Sequence, residues 1–134
     1  GVEVVMVPTM RYADGLALSS RNTYLTEEQR RAAPVVYRAL QLAERLWQQG
    51  ITDGNWIRSE TRLVLASEGL IERIDYVSVA DAETLEELDR VKSRAMVSVA
   101  VQQVGQGVRV GNAQGVDRRV IHDDSGHTVC NRLV

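Results

Sequence analysis

The sequence predicts an α+β domain in which helices pack on a small, mainly antiparallel sheet. Apolar residues recur at helical spacing in two consecutive segments, and short runs rich in β-branched residues follow them. The 134-residue chain is long enough to bury a hydrophobic core. Its contents of 44% hydrophobic and 25% charged residues are those of a globular protein, so we expect a folded domain rather than a disordered chain.

The helical region begins at Thr26, whose side chain suits the N-cap position. Glu27 and Glu28 follow in the first turn, where the helix dipole favours acidic groups. Pro34 divides this short helix from a longer one that Gly50 ends. The sequence therefore predicts a short capped helix followed directly by a long one.

Two long helices are predicted over residues 35–49 and 53–67. The first carries apolar residues at helical spacing, and the short connection between the two predicts an antiparallel pair. With no Phe in the chain, we expect Trp47 and Trp56 to be the large residues of the core. The apolar positions of the first helix are Val36, Leu40, Ala43 and Trp47.

The strands are predicted from β-branched runs. Residues 2–7 form such a run, which Pro8 ends, as in a strand of a parallel sheet that is buried on both faces. Residues 74–79 and 95–101 predict two further strands, with a short helix over residues 81–88 between them. Beyond residue 101 the pattern weakens, and the end of the chain is compatible with a hairpin turning at residues 124–126.

Composition narrows the classes of function. A net charge of −2 and a pI near 5.7 argue against a nucleic-acid-binding protein. No apolar run is long enough to cross a membrane. Cys130 is the only cysteine, which excludes an internal disulfide and suits a reducing cytoplasm, where we expect the protein to act.

Residues 7–25 carry the strongest functional signal. A strand end is followed by an Asp-Gly turn, then by Ser19, Ser20 and Arg21, then by a helix. Hydroxyl and backbone donors beside a guanidinium can wrap phosphate oxygens and offset charge that develops during phosphoryl or nucleotidyl transfer. The alternative is a polar loop whose hydroxyls cap the following turn, and the spacing alone leaves both interpretations open.

Three stretches carry a family resemblance: residues 8–11, residues 14–22 and Tyr24-Leu25. Together they resemble the signature loop of the pantothenate synthetases, whose Ser-Ser-Arg segment is the counterpart of the KMSKS loop of class I aminoacyl-tRNA synthetases. The similarity continues more loosely through the helices and returns at residues 74–88. We therefore identify the chain as resembling the C-terminal portion of this family.

The resemblance implies a role for each residue of the loop. The backbone of Met10 lies where the family contacts adenine. Leu18, Ser19 and Ser20 lie on the segment that closes over the phosphates of ATP, and Arg21 matches an arginine that touches phosphate. Ser19, Ser20 and Arg21 are thus the expected catalytic residues, and Met10 and Leu18 complete the expected ATP-binding set.

The resemblance also implies the domain organisation and the reaction. Residues 1–25 would end a Rossmann-like nucleotidyltransferase domain, most of which the chain lacks, and residues 26–134 would form a C-terminal lid. The family uses ATP with Mg²⁺ to join pantoate to β-alanine through a pantoyl adenylate, releasing pyrophosphate and AMP. In the family, the pockets for pantoate and β-alanine lie mainly in the domain that this chain would lack. The complete enzyme could be a homodimer.

Two departures from the family pattern limit which of the family's properties we can expect of this chain. The family's His-x-Gly-His motif is absent, since His122 and His127 are the only histidines, and residues 102–134 diverge from the family. We therefore expect the isolated chain to be inactive. Two alternatives stay open: a non-catalytic binding or regulatory module of the lid type, or another ligase of the nucleotidyltransferase superfamily.

A metal site near the C-terminus is the weaker candidate. Two histidines, two aspartates and the cysteine cluster in the sequence, but their spacing matches no standard zinc pattern, and a polar hairpin is the preferred interpretation. No metal ligand is predicted. The residues concerned are His122, Asp123, Asp124, His127 and Cys130.

Overall fold

The computed structural model describes residues 1–3, 5 and 8–104, and the backbone of residues 115–121. In this part of the chain, three α-helices precede a three-stranded antiparallel sheet, which confirms the α+β class. The elements are helices α1 (Glu27–Ala32), α2 (Val35–Gln48) and α3 (Gly54–Ala66), and strands β1 (Ile71–Asp81), β2 (Ala95–Gln103) and β3 (Gly115–Ile121).

The helix boundaries follow from local hydrogen bonding. Thr26 caps α1 as predicted, and the cap is reciprocal: the Gln29 N–H donates to the Thr26 hydroxyl, and the Thr26 N–H donates to the Gln29 side chain. Asp53 caps α3 by accepting from the Trp56 N–H at 3.0 Å. Gly50 follows α2 with φ of +87°, the left-handed conformation that glycine adopts without strain.

The sheet has the order β1-β2-β3, with both pairings antiparallel. Val77 lies opposite Val99 and Val79 opposite Val97, so that the valines of β1 and β2 share one face. The register of β1 shifts twice, between Ile71 and Arg73 and between Ile74 and Tyr76. The two strands predicted from β-branched runs are thus confirmed, and each is longer than predicted.

The core lies between the helices and the valine face of the sheet. Leu40 of α2, with Ile57 and Leu65 of α3, is fully buried in one cluster with these valines. Trp47 packs against this cluster, as predicted. Trp56 was predicted to do the same, but its side chain is 56% exposed because it lies in the first turn of α3, outside the face that carries Ile57 and Leu65.

The helix predicted over residues 81–88 is wrong. The Asp81 carboxylate accepts the N–H groups of Glu83 and Thr84, which makes a side-chain-closed turn in place of a helical one. Leu85 follows with φ of +64°, outside the right-handed helical range. The segment then returns along β1, where Glu87 forms a bridge with Ala80.

An arginine of α3 fixes this returning segment. The Arg58 side chain donates to the carbonyls of Val79 and Leu88 and forms an ion pair with Glu87 at 2.8 Å. Glu87 also accepts from the Ser78 hydroxyl. Glu87 is therefore a structural carboxylate that joins this segment to β1 and α3.

Several sequence predictions fall on residues outside the described part. In residues 2–7, positions 4, 6 and 7 are outside it, and the described residues Val2, Glu3 and Val5 are exposed and have no regular structure. The hairpin at 124–126 also lies outside it. The start of the C-terminal segment expected to form that hairpin, residues 118–121, lies in strand β3. Among the helices that are described, none is long and apolar enough to span a lipid bilayer.

Candidate functional site

Residues 10–18 form a tight hairpin just before the predicted phosphate-binding residues. The Leu18 N–H donates to the Met10 carbonyl at 2.9 Å, and the Tyr12 N–H donates to the Leu16 carbonyl at 2.8 Å. Arg11 and Ala17 form a bridge between the two arms. The hairpin thus brings Met10 and Leu18 side by side at its open end, with Ser19 following directly.

The tip of the hairpin packs on helix α2. Gly15 has φ of +91°, and the ring of Tyr37 lies so close that an added Cβ would fall 1.9 Å from its Cδ1. Arg11 stacks its guanidinium 4.3 Å from the centre of the same ring and donates to the Gly15 carbonyl at 2.9 Å. Glycine is therefore required at the tip both by backbone conformation and by space.

A second contact joins the tip to helix α1. Arg30 Nη1 lies 2.6 Å from Asp14 Oδ2, and the guanidinium stacks 4.8 Å from the centre of the Tyr12 ring. Asp14 Oδ1 accepts the Leu16 N–H, so the carboxylate is held from both sides. The hydrogen bond from Arg30 holds the pKa of Asp14 below its usual value and raises the pKa of Arg30.

The predicted phosphate-binding segment follows as a short 3-10 helix, Ser20–Tyr24. The Ser19 hydroxyl caps it by accepting the Arg21 N–H at 3.2 Å. The Asn22 side chain donates back to the Ala17 carbonyl at 2.9 Å. Ser19 therefore makes the capping bond of the alternative interpretation, and the Asn22 side chain ties the segment back to the hairpin.

Ser20 and Arg21 are exposed donors of this segment. The guanidinium of Arg21 makes no ion pair or hydrogen bond with the part of the chain that the structure describes, and neither does the Ser20 hydroxyl. Met10 and Leu18, at 72% and 49% exposure, present apolar surface beside them. A charged fork, a hydroxyl and an apolar rim on one exposed bend can accept an anionic group that carries a flat apolar ring.

Helix α1, which follows the bend, is fixed to the sheet. The buried Gln29 donates to the Val104 carbonyl at 2.9 Å, and its own carbonyl accepts from the Gln103 side chain at 3.1 Å. The loop is therefore tied, through α1, to the end of β2.

The sequence did not identify the residues that support the loop. Arg30 pairs with Asp14, 16 residues earlier, and not with an acid of its own helix. The contacts of Tyr12 and Tyr37 with arginines were not predicted either. The only available signal was an acid in the loop and a cation one turn into the next helix, which is too common to select one pair.

Metal ligation is not supported by the described residues. None of them forms a group of three or more His, Cys, Asp or Glu side chains that could hold a metal ion. The C-terminal candidates His122, Asp123, Asp124, His127 and Cys130 lie outside the described residues.

Comparisons with known proteins identify the family. The sequence profile of the family described as Pantoate-beta-alanine ligase matches residues 1–114. The chain belongs to this family. Pantothenate synthetases of this family from Chloroflexus aurantiacus and Herpetosiphon aurantiacus are 55% and 45% identical to it, over 75% and 90% of its length. It spans only 36% and 41% of their lengths.

Solved structures agree with the family assignment. A crystal structure of pantothenate synthetase from Thermus thermophilus superimposes with a TM-score of 0.74 at 36% identity, over 87% of this chain and 39% of that one. A second structure from the same organism gives 0.73 at 37% identity, with the same coverage. The resemblance found in the loop and in residues 74–88 is thus confirmed for most of the chain.

Proposed function

We propose that this chain is the C-terminal part of a pantothenate synthetase and that its Ser19-Ser20-Arg21 bend binds the phosphates of ATP. The observation that carries the proposal is the state of Arg21: it is exposed, unpaired within the described chain, and presented by a bend whose backbone is fixed. Membership of the pantoate–β-alanine ligase family supports this ligase over the two alternatives, a regulatory module and another nucleotidyltransferase.

The proposed reaction has two steps. The pantoate carboxylate attacks the α-phosphorus of ATP, so that pantoyl adenylate forms and pyrophosphate leaves. The β-alanine amine then attacks the acyl carbon, giving pantothenate and AMP. Negative charge shifts onto the leaving pyrophosphate in the first step, and donors fixed in advance stabilise that charge more in the transition state than in the ground state.

Within this scheme each residue of the bend has a distinct part. Arg21 offers a bidentate fork to phosphate oxygens and Ser20 offers a hydroxyl. Ser19 shapes the bend, because its hydroxyl oxygen accepts the Arg21 N–H. Met10 and Leu18 form the apolar edge against which adenine would lie. The lid over residues 26–134 would keep water from the reactive adenylate.

Magnesium would arrive with the nucleotide. Asp14 is the only acidic residue of the loop, and its carboxylate is engaged by Arg30 and by the Leu16 N–H. The loop therefore offers no free carboxylate to Mg²⁺, and no step above depends on one. At nucleotide sites Mg²⁺ usually binds substrate phosphates, waters and one or two protein carboxylates, and any such carboxylate would have to come from outside this loop.

Titration of the 134-residue chain with MgATP tests the phosphate-binding role. We expect Arg21→Ala to weaken binding about 10- to 100-fold, since a hydrogen bond to a charged group contributes about 1.5–3 kcal/mol. Arg31→Ala, which removes another exposed arginine from α1, is the matched control and should bind as the wild type does. Equal binding by the wild type and Arg21→Ala, or no binding by either, would contradict the proposal.

Release of AMP tests the assignment of the whole reaction. We expect none from this chain alone with ATP, pantoate and β-alanine, because the small-molecule pockets are proposed to lie in the preceding part of the enzyme. Joining the chain to the N-terminal part of the Chloroflexus aurantiacus relative should restore AMP release that requires both pantoate and β-alanine. Full turnover by the 134 residues alone would show that the substrate pockets do not depend on a preceding part of the enzyme.

A further inference from the structure

We propose that Arg30 is a positioning residue for the Ser19-Ser20-Arg21 bend, acting through Asp14 at the tip of the hairpin. The inference rests on the proposed function, because it concerns how the phosphate-binding bend is held. The two arginines of this region differ in their contacts: Arg21 has no partner among the described residues, while Arg30 is engaged within the chain.

The side chain of Arg30 contacts two residues of the hairpin, Asp14 and Tyr12. One guanidinium nitrogen lies 2.6 Å from Asp14 Oδ2, and the flat face of the group lies over the Tyr12 ring. A cation that is both stacked and hydrogen-bonded is fixed in direction as well as in position. Helix α1 therefore holds the tip of the hairpin through this side chain.

The carboxylate that receives this contact is itself oriented. Asp14 Oδ1 accepts the N–H of Leu16, two residues further along the turn. A displacement of Arg30 would therefore act on the backbone of the turn and not only on a mobile side chain. From there the second arm of the hairpin leads through Ala17 directly to the bend.

The bend is held between two points that depend on the hairpin. At its start, the Leu18 N–H is bonded to the Met10 carbonyl across the hairpin. At its end, the Asn22 side chain is bonded to the Ala17 carbonyl. Rotation of the hairpin relative to α1 would thus carry Ser19, Ser20 and Arg21 with it.

The contact should matter for geometry more than for overall stability. Both partners are partly exposed, with side-chain exposures of 31% and 44%, and exposed ion pairs contribute little to folding free energy. Loss of Arg30 should therefore leave the fold intact and loosen the loop. This combination distinguishes a positioning residue from a merely structural one.

Hydrogen exchange in the full 134-residue chain tests the positioning directly. The backbone N–H groups of Leu18 and Asn22 donate to the carbonyls of Met10 and Ser19. We expect Arg30→Ala to speed their exchange about 3- to 10-fold, the scale of losing one exposed ion pair and one stacking contact. Exchange in β1 and β2 should stay unchanged. Arg31→Ala is the control, because the ion pair of Arg31 with Glu27 is long, at 4.0 Å, and lies within α1. Unchanged loop exchange in Arg30→Ala would overturn the inference.

MgATP affinity links the loop to the ligand. We expect Arg30→Ala to weaken MgATP binding about 3- to 10-fold, as its loop opens, with a smaller effect on AMP, which lacks the outer phosphates. Arg30→Lys, which can keep the ion pair but stacks less well, should fall between Arg30→Ala and the wild type.

The outcomes separate this inference from the proposed function. If Arg30→Ala loosens the loop but leaves MgATP affinity intact while Arg21→Ala reduces it, the positioning role is wrong and the phosphate-binding role stands. If Arg21→Ala has no effect on MgATP affinity, the proposed function fails and the positioning role fails with it.

Discussion

Replacement of Gly15 by alanine tests how closely the hairpin tip is fitted to helix α2. Gly15 has φ of +91°, and a new Cβ would lie 1.9 Å from Cδ1 of Tyr37, where ordinary contact begins at 3.4 Å. Left-handed backbone costs a non-glycine residue about 1–2 kcal/mol. Overpacking adds about 1–3 kcal/mol, so we expect Gly15→Ala to lower the free energy of unfolding by about 2–5 kcal/mol.

Gly50 offers a matched control for the backbone part of this loss. Its φ is +87°, but nothing lies within 4 Å of the position that a Cβ would occupy. Gly50→Ala should therefore cost only the conformational strain of about 1–2 kcal/mol. Urea denaturation followed by circular dichroism measures both variants on one scale.

A third variant isolates the clash with the tyrosine ring. In a Tyr37→Ala background the ring is gone, and Gly15→Ala should then cost no more than Gly50→Ala does in the wild type. The coupling between the two positions should be about 1–3 kcal/mol. Equal losses for Gly15→Ala and Gly50→Ala in the wild-type chain would refute the close packing of the tip on α2.

Three further predictions concern the loop, the core and a helix cap. Arg30 lowers the pKa of Asp14, so their contact should stabilise the loop at neutral pH and be lost as the pH falls through that lowered pKa; loop hydrogen exchange should show this acid transition, and Asp14→Asn should lack it. Leu40→Ala should lower the free energy of unfolding by about 2–5 kcal/mol in urea denaturation. Leu63→Ala should change it by less than about 0.5 kcal/mol, since Leu63 is 63% exposed, and a comparable loss would contradict the assigned core. Thr26→Ala should cost about 1 kcal/mol in the same assay, and no loss would argue against the reciprocal cap.

The spacing of apolar residues correctly predicted the helices and strands whose structure is decided by burial of one face. The apolar positions of α2 and the valine alternation of β1 and β2 follow directly from burial on one face. The cap at Thr26 was predicted for the same kind of reason, since the local hydrogen bonds need only neighbouring residues. These are the parts of the fold in which short-range chemistry and tertiary packing agree.

The predictions that failed concern segments in which a polar side chain or a contact with a distant residue sets the conformation or the burial. Residues 81–88 have helical composition, but the Asp81 carboxylate takes two backbone N–H groups, and Arg58 of α3 then holds the returning chain. Trp56 was assigned to the core on size alone, although its place in α3 leaves it exposed. Neither outcome can be derived from spacing along the chain.

The candidate site likewise contains residues that the sequence predicted and residues that it did not. The identity of Ser19, Ser20 and Arg21 came from a local motif, and the structure presents Ser20 and Arg21 as exposed donors. The supporting pair of Asp14 and Arg30 depends on the folding of the hairpin against α1, so no pattern of adjacent residues reveals it.

The two register shifts in β1 affect how the sheet meets other molecules. Within the described chain, β1 is a border strand, and such a strand offers unpaired backbone groups to a strand of another copy. In β1 the bulged half carries Glu72, Arg73 and Asp75, while the segment that contains Glu87 covers the last residues, 79–81. A second copy would meet charge and an irregular register at one end of β1 and occupied backbone at the other, so growth of the sheet by strand addition is disfavoured at both ends of this strand.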